Sequence, residues 1–119
     1  MKSNDKLLIG LVGPCKSGKT TLRDRLIDSG YHVRQIAQEH SFVKDMWQRL
    51  TKPDLLIFLD VSFKESMRRH PLNWTEADYQ EQQRRLGHAL EHADLYLLTD
   101  SLSPEVVAEK AIEFIRSLG

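Results

Sequence analysis

The chain holds 119 residues, room for one domain and one hydrophobic core. Lysine plus arginine and aspartate plus glutamate balance at 17 each, so bulk charge gives no handle for nucleic acid or an anionic membrane surface. A single cysteine excludes an internal disulfide framework, and no apolar run approaches the roughly 20 residues of a membrane span.

The opening MKSNDK leads into an apolar run without the pattern of a signal peptide. The expectation is a single cytoplasmic domain over 1–119, binding neither nucleic acid nor membrane. Leu7 to Val12 reads as a buried strand ending at Gly13. A helical pattern starts at Lys19, with Leu22, Leu26 and Ile27 on one face and Gly30 as its C-terminal cap. Tyr31, Val33, Ile36 and Ala37 suggest a second, weaker strand. Phe42, Val43, Met46, Trp47 and Leu50 recur at helical spacing, predicting a helix over 41–51 before the Lys52-Pro53 break.

Leu55 to Leu59, LLIFL, is a continuous apolar strand ending at Asp60, as in a sheet covered on both faces. Ser62 and Glu65 have capping-box spacing, and the short helix they open must stop before Pro71. A loop from His70 follows, and Thr75 with Asp78 starts another helix whose inner face carries Tyr79, Leu86, Ala89, Leu90 and Ala93. Leu95 to Leu98 is the last strand. Ser103 and Pro104 open a final helix lined by Val107, Ala111, Phe114, Ile115 and Leu118. Strands alternating with helices predict an α/β fold: a mostly parallel sheet of about four strands between helical layers, with the loops after Val12, Ala37, Leu59 and Leu98 on one rim.

The stretch Gly13-Pro14-Cys15-Lys16-Ser17-Gly18-Lys19-Thr20 fits G-x-x-x-x-G-K-[ST] at every fixed position. The glycines allow backbone geometry that side chains obstruct, so that N–H groups turn inward around phosphate oxygens. The following helix adds its positive dipole end. Lys19 reaches the β/γ-phosphates and the Thr20 hydroxyl ligates Mg²⁺. Thr21 completes the expected contacts. Lys16 and Cys15 occupy variable positions of the motif. Lys16 adds a second positive charge, and Cys15 is first a small residue that fits, although the same positive field would stabilise its thiolate.

The chain resembles the P-loop nucleoside and nucleotide kinases. "KPDLLIFLDVSFKESMRR" looks like the corresponding segment of thymidylate kinase and the deoxynucleoside kinases, and "HADLYLLTDSLSPEVVAEKAIEFI" is similar to the end of dephospho-coenzyme A kinase. The resemblance implies a three-layer P-loop NTPase fold, ATP and Mg²⁺ as cofactors, and phosphoryl transfer to a small nucleoside-, nucleotide- or cofactor-like acceptor. It also implies Thr99 to Ser103 beside the base and a lid at about 70–78. Arg68 at the entrance to that lid would contact nucleotide and Arg69 would act in catalysis; Arg84 and Arg85 lie on the helix leaving it, Arg84 as a solvated residue.

Two acids compete for the remaining role. Glu39 follows the second strand, where several nucleoside kinases carry the base for the acceptor hydroxyl, and it is preferred together with Lys19 for the chemistry. Asp60 ends an apolar strand in the manner of a Walker B aspartate and is kept as a water-mediated Mg²⁺ ligand. The family usually has five core strands. Here either one is lost, or the 31–37 strand lies directly beside the first, which would bring Glu39 to the Walker B position.

The shortened acceptor region keeps a second reading open: a non-catalytic nucleotide-binding module completed by a partner or by a second copy as a homodimer. NTP hydrolysis is a lesser alternative. For a GTPase, the Thr51-Lys52-Pro53-Asp54 stretch resembles a guanine-reading motif, but no D-x-x-G switch accompanies it. His88 and His92, at i,i+4 spacing, form a metal-ligand pair without a third ligand nearby in sequence.

Overall fold

The computed structural model describes residues 7–70 and 73–118. Pro71 and Leu72 of the expected lid lie outside the described residues. The elements, in order, are β1 (Leu8–Val12), α1 (Lys19–Asp28), β2 (His32–Gln35), a 3-10 turn (Gln38–His40), a π-helical turn (Trp47–Thr51), β3 (Leu55–Asp60), α2 (Phe63–Arg69), α3 (Glu76–His92), β4 (Leu95–Leu98) and α4 (Pro104–Ser117).

The four strands form one sheet in the order β2-β1-β3-β4. Every pairing is parallel, with Gly10 opposite Arg34 on one side and Leu56 on the other, and Phe58 opposite Tyr96. The chain is an α/β protein. Alternation along β3 explains its unbroken apolar run. Ile57 and Leu59 join Ile9 and Leu11 under α1 and α4, where they meet Leu22, Leu26, Val107, Ala111 and Ile115. Leu56 and Phe58 face the opposite way, with Val12, Ile36, Trp47, Leu86 and Ala89. A strand buried on both faces has no solvent side on which to place polar residues.

Local signals account for most element ends. Gly30 has φ 95°. Its N–H bonds Ile27 O while the Tyr31 N–H bonds Leu26 O, the paired pattern of a Schellman cap. Thr75 and Asp78 make a complete capping box on α3, and Ser103 caps α4 ahead of Pro104. Ser62 caps α2 through the Glu65 N–H, but Glu65 does not complete a box; its carboxylate goes to Arg68 and Arg69.

One expected element is replaced. The 41–51 segment is not an amphipathic α-helix: Phe42 is 87% and Leu50 77% exposed, and only a five-residue π-helical turn forms. The buried Gln38 side chain is the reason. Its amide nitrogen donates to Val43 O and its oxygen accepts from the Trp47 N–H, so side-chain bonds take up backbone groups that a helical ladder would use. Trp47 alone is fully inserted. Ile27, Leu90 and Leu118, expected on inner faces, are also about half exposed at 48%, 42% and 49%.

The strand at 31–37 lies directly beside β1, so β1 is flanked by β2 on one side and β3 on the other. The direction of winding reverses there, and the crevice at the carboxyl ends of β1 and β3 receives the glycine-rich loop. Gly13 is fixed by this crossing. Its φ is 153°, and an added Cβ would stand 1.9 Å from Leu59 O.

Backbone cannot yield as a flexible side chain does, so Gly13→Ala should cost at least about 2 kcal/mol in denaturant unfolding. Gly87, mid-helix with nothing within 4 Å of an added Cβ, is the contrast: Gly87→Ala should raise stability by about 0.4–1 kcal/mol.

Candidate functional site

The loop between β1 and α1 wraps around the Lys19 ammonium. Lys19, 5% exposed, donates from Nζ to Gly13 O, to Pro14 O at 3.0 Å and to Glu39 Oε2 at 2.8 Å. Glu39 is delivered by the 3-10 turn that follows β2, so the β1–β2 pairing is what brings acid and lysine together. Glu39 is 4% exposed, and its second oxygen, Oε1, is buried without a hydrogen-bond partner. The Ser17 hydroxyl inside the loop is also buried and unpartnered. Gly18, at φ 103°, immediately precedes α1, whose first turn contains no acidic residue.

Two hollows flank the loop. One, of about 470 Å³, is lined by Lys19, Thr20, Gln35, Glu39, His40 and Cys15 among others. The second, about 160 Å³, lies over Gly18, Thr21, Leu22, Thr99, Leu102 and Val107, with Arg69 at its edge. The sequence-predicted residues Gly13 to Thr21 are therefore gathered around one loop, with Glu39 in the first hollow and the Thr99–Ser103 stretch beside the second. Thr20 donates its hydroxyl to Gln35 Oε1 at 2.9 Å. Lys16 has φ 66° and an exposed side chain.

The other candidates fall elsewhere. Asp60 is not in the Lys19 hollow. Its Oδ1 accepts from the Val61 N–H and Gln83, and its Oδ2 accepts from the Tyr96 hydroxyl at 2.7 Å. Both of its oxygens are thus engaged within the protein. Burial, and then the Asp60 charge, push the Tyr79 and Tyr96 hydroxyls up. Arg68 is 72% exposed and held on Glu65, not turned toward the loop.

Arg69 is a strut. It donates to Lys16 O at 2.8 Å and to Thr99 O at 3.1 Å, and its Nε is paired with Glu65. It lines the second hollow, whereas Lys19 and Glu39 line the first. Arg84 pairs with Glu81 in solvent, as expected. Arg85 reaches Glu39 O at 3.4 Å and lies 4.3 Å over the Phe42 ring.

The lid segment is pinned where it is described. Trp74 stacks on His70 at 4.0 Å and donates to the buried Ser66 hydroxyl. Burial and then Lys16 hold the His70 imidazole below its ordinary pKa. Asp54 accepts from the Leu8 N–H at the start of β1, which puts the Thr51–Asp54 stretch at the end of the sheet opposite the loop. His88 accepts from the Trp47 indole at 3.1 Å and stacks on His92 at 4.3 Å. Among the described residues, these two histidines do not belong to a group of three ligand side chains.

Sequence reasoning missed Gln82. It accepts from the Cys15 N–H at 2.9 Å and donates to the Cys15 Sγ at 3.1 Å, clamping α3 to the loop. The signal was there: Gln82 falls on the Tyr79–Leu86 stripe, and a polar residue on an apolar face needs a partner. No protein-family model matches the chain, and no curated protein matches it.

Arg68, with Arg69 behind it, holds the Glu65 carboxyl at about 2, against its ordinary 4.5. A depressed carboxyl stabilises the fold fully above pH 4.5 and loses that contribution as pH falls through about 2. Glu65→Gln should therefore show a shallower loss of stability than wild type across this window, measured as the urea midpoint against pH.

Proposed function

We propose that this chain is an ATP- and Mg²⁺-binding protein of the P-loop NTPase type that transfers a phosphoryl group to a small nucleoside-, nucleotide- or cofactor-like acceptor. The observation that carries the reading is the buried Lys19–Glu39 pair at the mouth of the glycine-rich loop. It unites a phosphate-seeking ammonium with a carboxylate that keeps one oxygen uncommitted.

The residues present fit the nucleotide and its cation. Gly13 admits no side chain, the Ser17 hydroxyl has no protein partner, and α1 directs its uncapped N-terminus at the loop. Thr20 would hold the cation, which when bound supplies charge neutralisation at the phosphates. Lys19 would exchange Gly13 O and Pro14 O for phosphate oxygens and keep Glu39 as its counter-charge. Glu39 would orient the acceptor hydroxyl and take its proton on the uncommitted oxygen. Arg69, tied to Lys16 O and Thr99 O, would keep the loop and the base-side hollow in register.

A second reading has an observation of its own. Phe42, Val43 and Leu50 are 87%, 50% and 77% exposed on the segment following Glu39, where an acceptor site would be walled. That suits a nucleotide-binding module whose wall comes from a partner or a second copy of the chain.

Lys19→Ala should weaken binding of a fluorescent ATP analogue by about 30-fold or more under both readings. Glu39→Gln should leave that affinity within a few fold and lower phosphoryl transfer by about 10²–10⁴-fold. Nucleoside, nucleotide and hydroxylated cofactor acceptors should raise ADP formation above solvent hydrolysis. If none does, the transferase reading fails and the binding-module reading stands.

A further inference from the structure

We infer that Cys15, His40 and Glu39 form a binding site for a thiophilic divalent transition metal, Zn²⁺ being the ion whose chemistry fits best. Among the described residues, these three are the group of cysteine, histidine and carboxylate side chains whose ligand atoms all lie within 4.8 Å of one another. They come from two chain segments, the glycine-rich loop and the 3-10 turn after β2, so their meeting is a product of the tertiary fold.

The geometry is close to what the ion requires. Zn–S is about 2.3 Å and Zn–N about 2.0–2.1 Å, so sulfur and nitrogen on a tetrahedral ion stand about 3.6 Å apart. The Cys15 Sγ and His40 Nε2 are 3.6 Å apart. Glu39 Oε2 is 3.9 Å from the same nitrogen, within a small carboxylate rotation of a tetrahedral edge. Oε2 also accepts from the Lys19 ammonium; passing that ammonium to the buried, unpartnered Oε1 would free Oε2 for the ion.

Gln82 donates to Sγ at 3.1 Å, the kind of outer hydrogen bond that orients a metal ligand. Binding releases the thiol proton to solvent, so the thiolate offsets one of the ion's two charges while the Glu39 carboxylate is shared between the ion and Lys19. His40 is 61% exposed, which leaves an approach from solvent and a fourth position for water. Thiolate and imidazole select this class of ion over Mg²⁺, which prefers an octahedral oxygen shell. The site shares Glu39 with the phosphoryl-transfer reading but requires neither nucleotide nor turnover.

The test is Co²⁺ titration of the full chain without nucleotide, under reducing conditions, followed by absorption. One equivalent of Co²⁺ should produce a thiolate-to-cobalt charge-transfer band in the near ultraviolet, and Zn²⁺ should bleach it. Cys15→Ala should abolish the band. His40→Ala, at an exposed position that leaves the fold intact, should weaken Co²⁺ binding by more than the roughly 10–100-fold cost of losing an outer partner. A double His88→Ala/His92→Ala variant should titrate as wild type. No charge-transfer band in the wild-type chain would overturn the inference. So would a band whose affinity is unchanged by both His40→Ala and Glu39→Gln, since that describes a thiol binding alone.

Discussion

One ion pair organises the loop end of the sheet. The Lys19 ammonium is almost withdrawn from water, and that is tolerated because two loop carbonyls and the Glu39 carboxylate surround it. A buried charge of this kind is weak support for stability, because desolvation offsets much of the attraction. Its consequence is specificity of arrangement: the loop closes around the lysine, α1 starts where the loop ends, and β2 must run next to β1 for the carboxylate to arrive. Truncating either partner would strand the other charge in a nearly dry site.

The sheet makes that pair available. With the order β2-β1-β3-β4, the loop enters the rim at the crevice between the carboxyl ends of β1 and β3. Gly13 passes against the Leu59 carbonyl there, and the close approach fixes the loop to β3. From the other side, α3 holds the loop through Gln82, while Arg69 ties Lys16 to Thr99. Three elements distant in sequence thus set the shape of a loop six residues long.

The same crowding gives neighbouring residues different chemistry. Cys15, a variable position of the motif, meets His40 and Glu39 only because the turn after β2 folds over the loop. Asp60, by contrast, stands at a strand end that suggests a metal ligand, yet Gln83 and Tyr96 take up its carboxylate. Sequence position shows which residues can reach a rim. Competition among hydrogen-bond partners decides which of them remain free there.

Much of the fold was legible in the sequence because local physics dictates it. The LLIFL run, the Gly30 cap, the Thr75–Asp78 box and the Ser103-Pro104 start each act within a few residues, and each element appears where those signals lie. The glycine-rich loop was legible for the same reason, as its spacing states its backbone requirements. The 41–51 segment was not, because its apolar spacing mimics a helix while the Gln38 side chain, a non-periodic contact, claims its backbone groups. The sequence favoured Glu39 over Asp60 for the chemistry, but the contact of Glu39 with Lys19 was not legible in it. That contact depended on β2 lying directly beside β1, as the engagement of Asp60 did on Tyr96 standing across from Phe58 on the neighbouring strand. The sequence by itself determined the strands, the four α-helices, their alternation and the loop. The tertiary structure alone decided which carboxylate faces the lysine, because strand order and side-chain competition are long-range properties that no local pattern encodes.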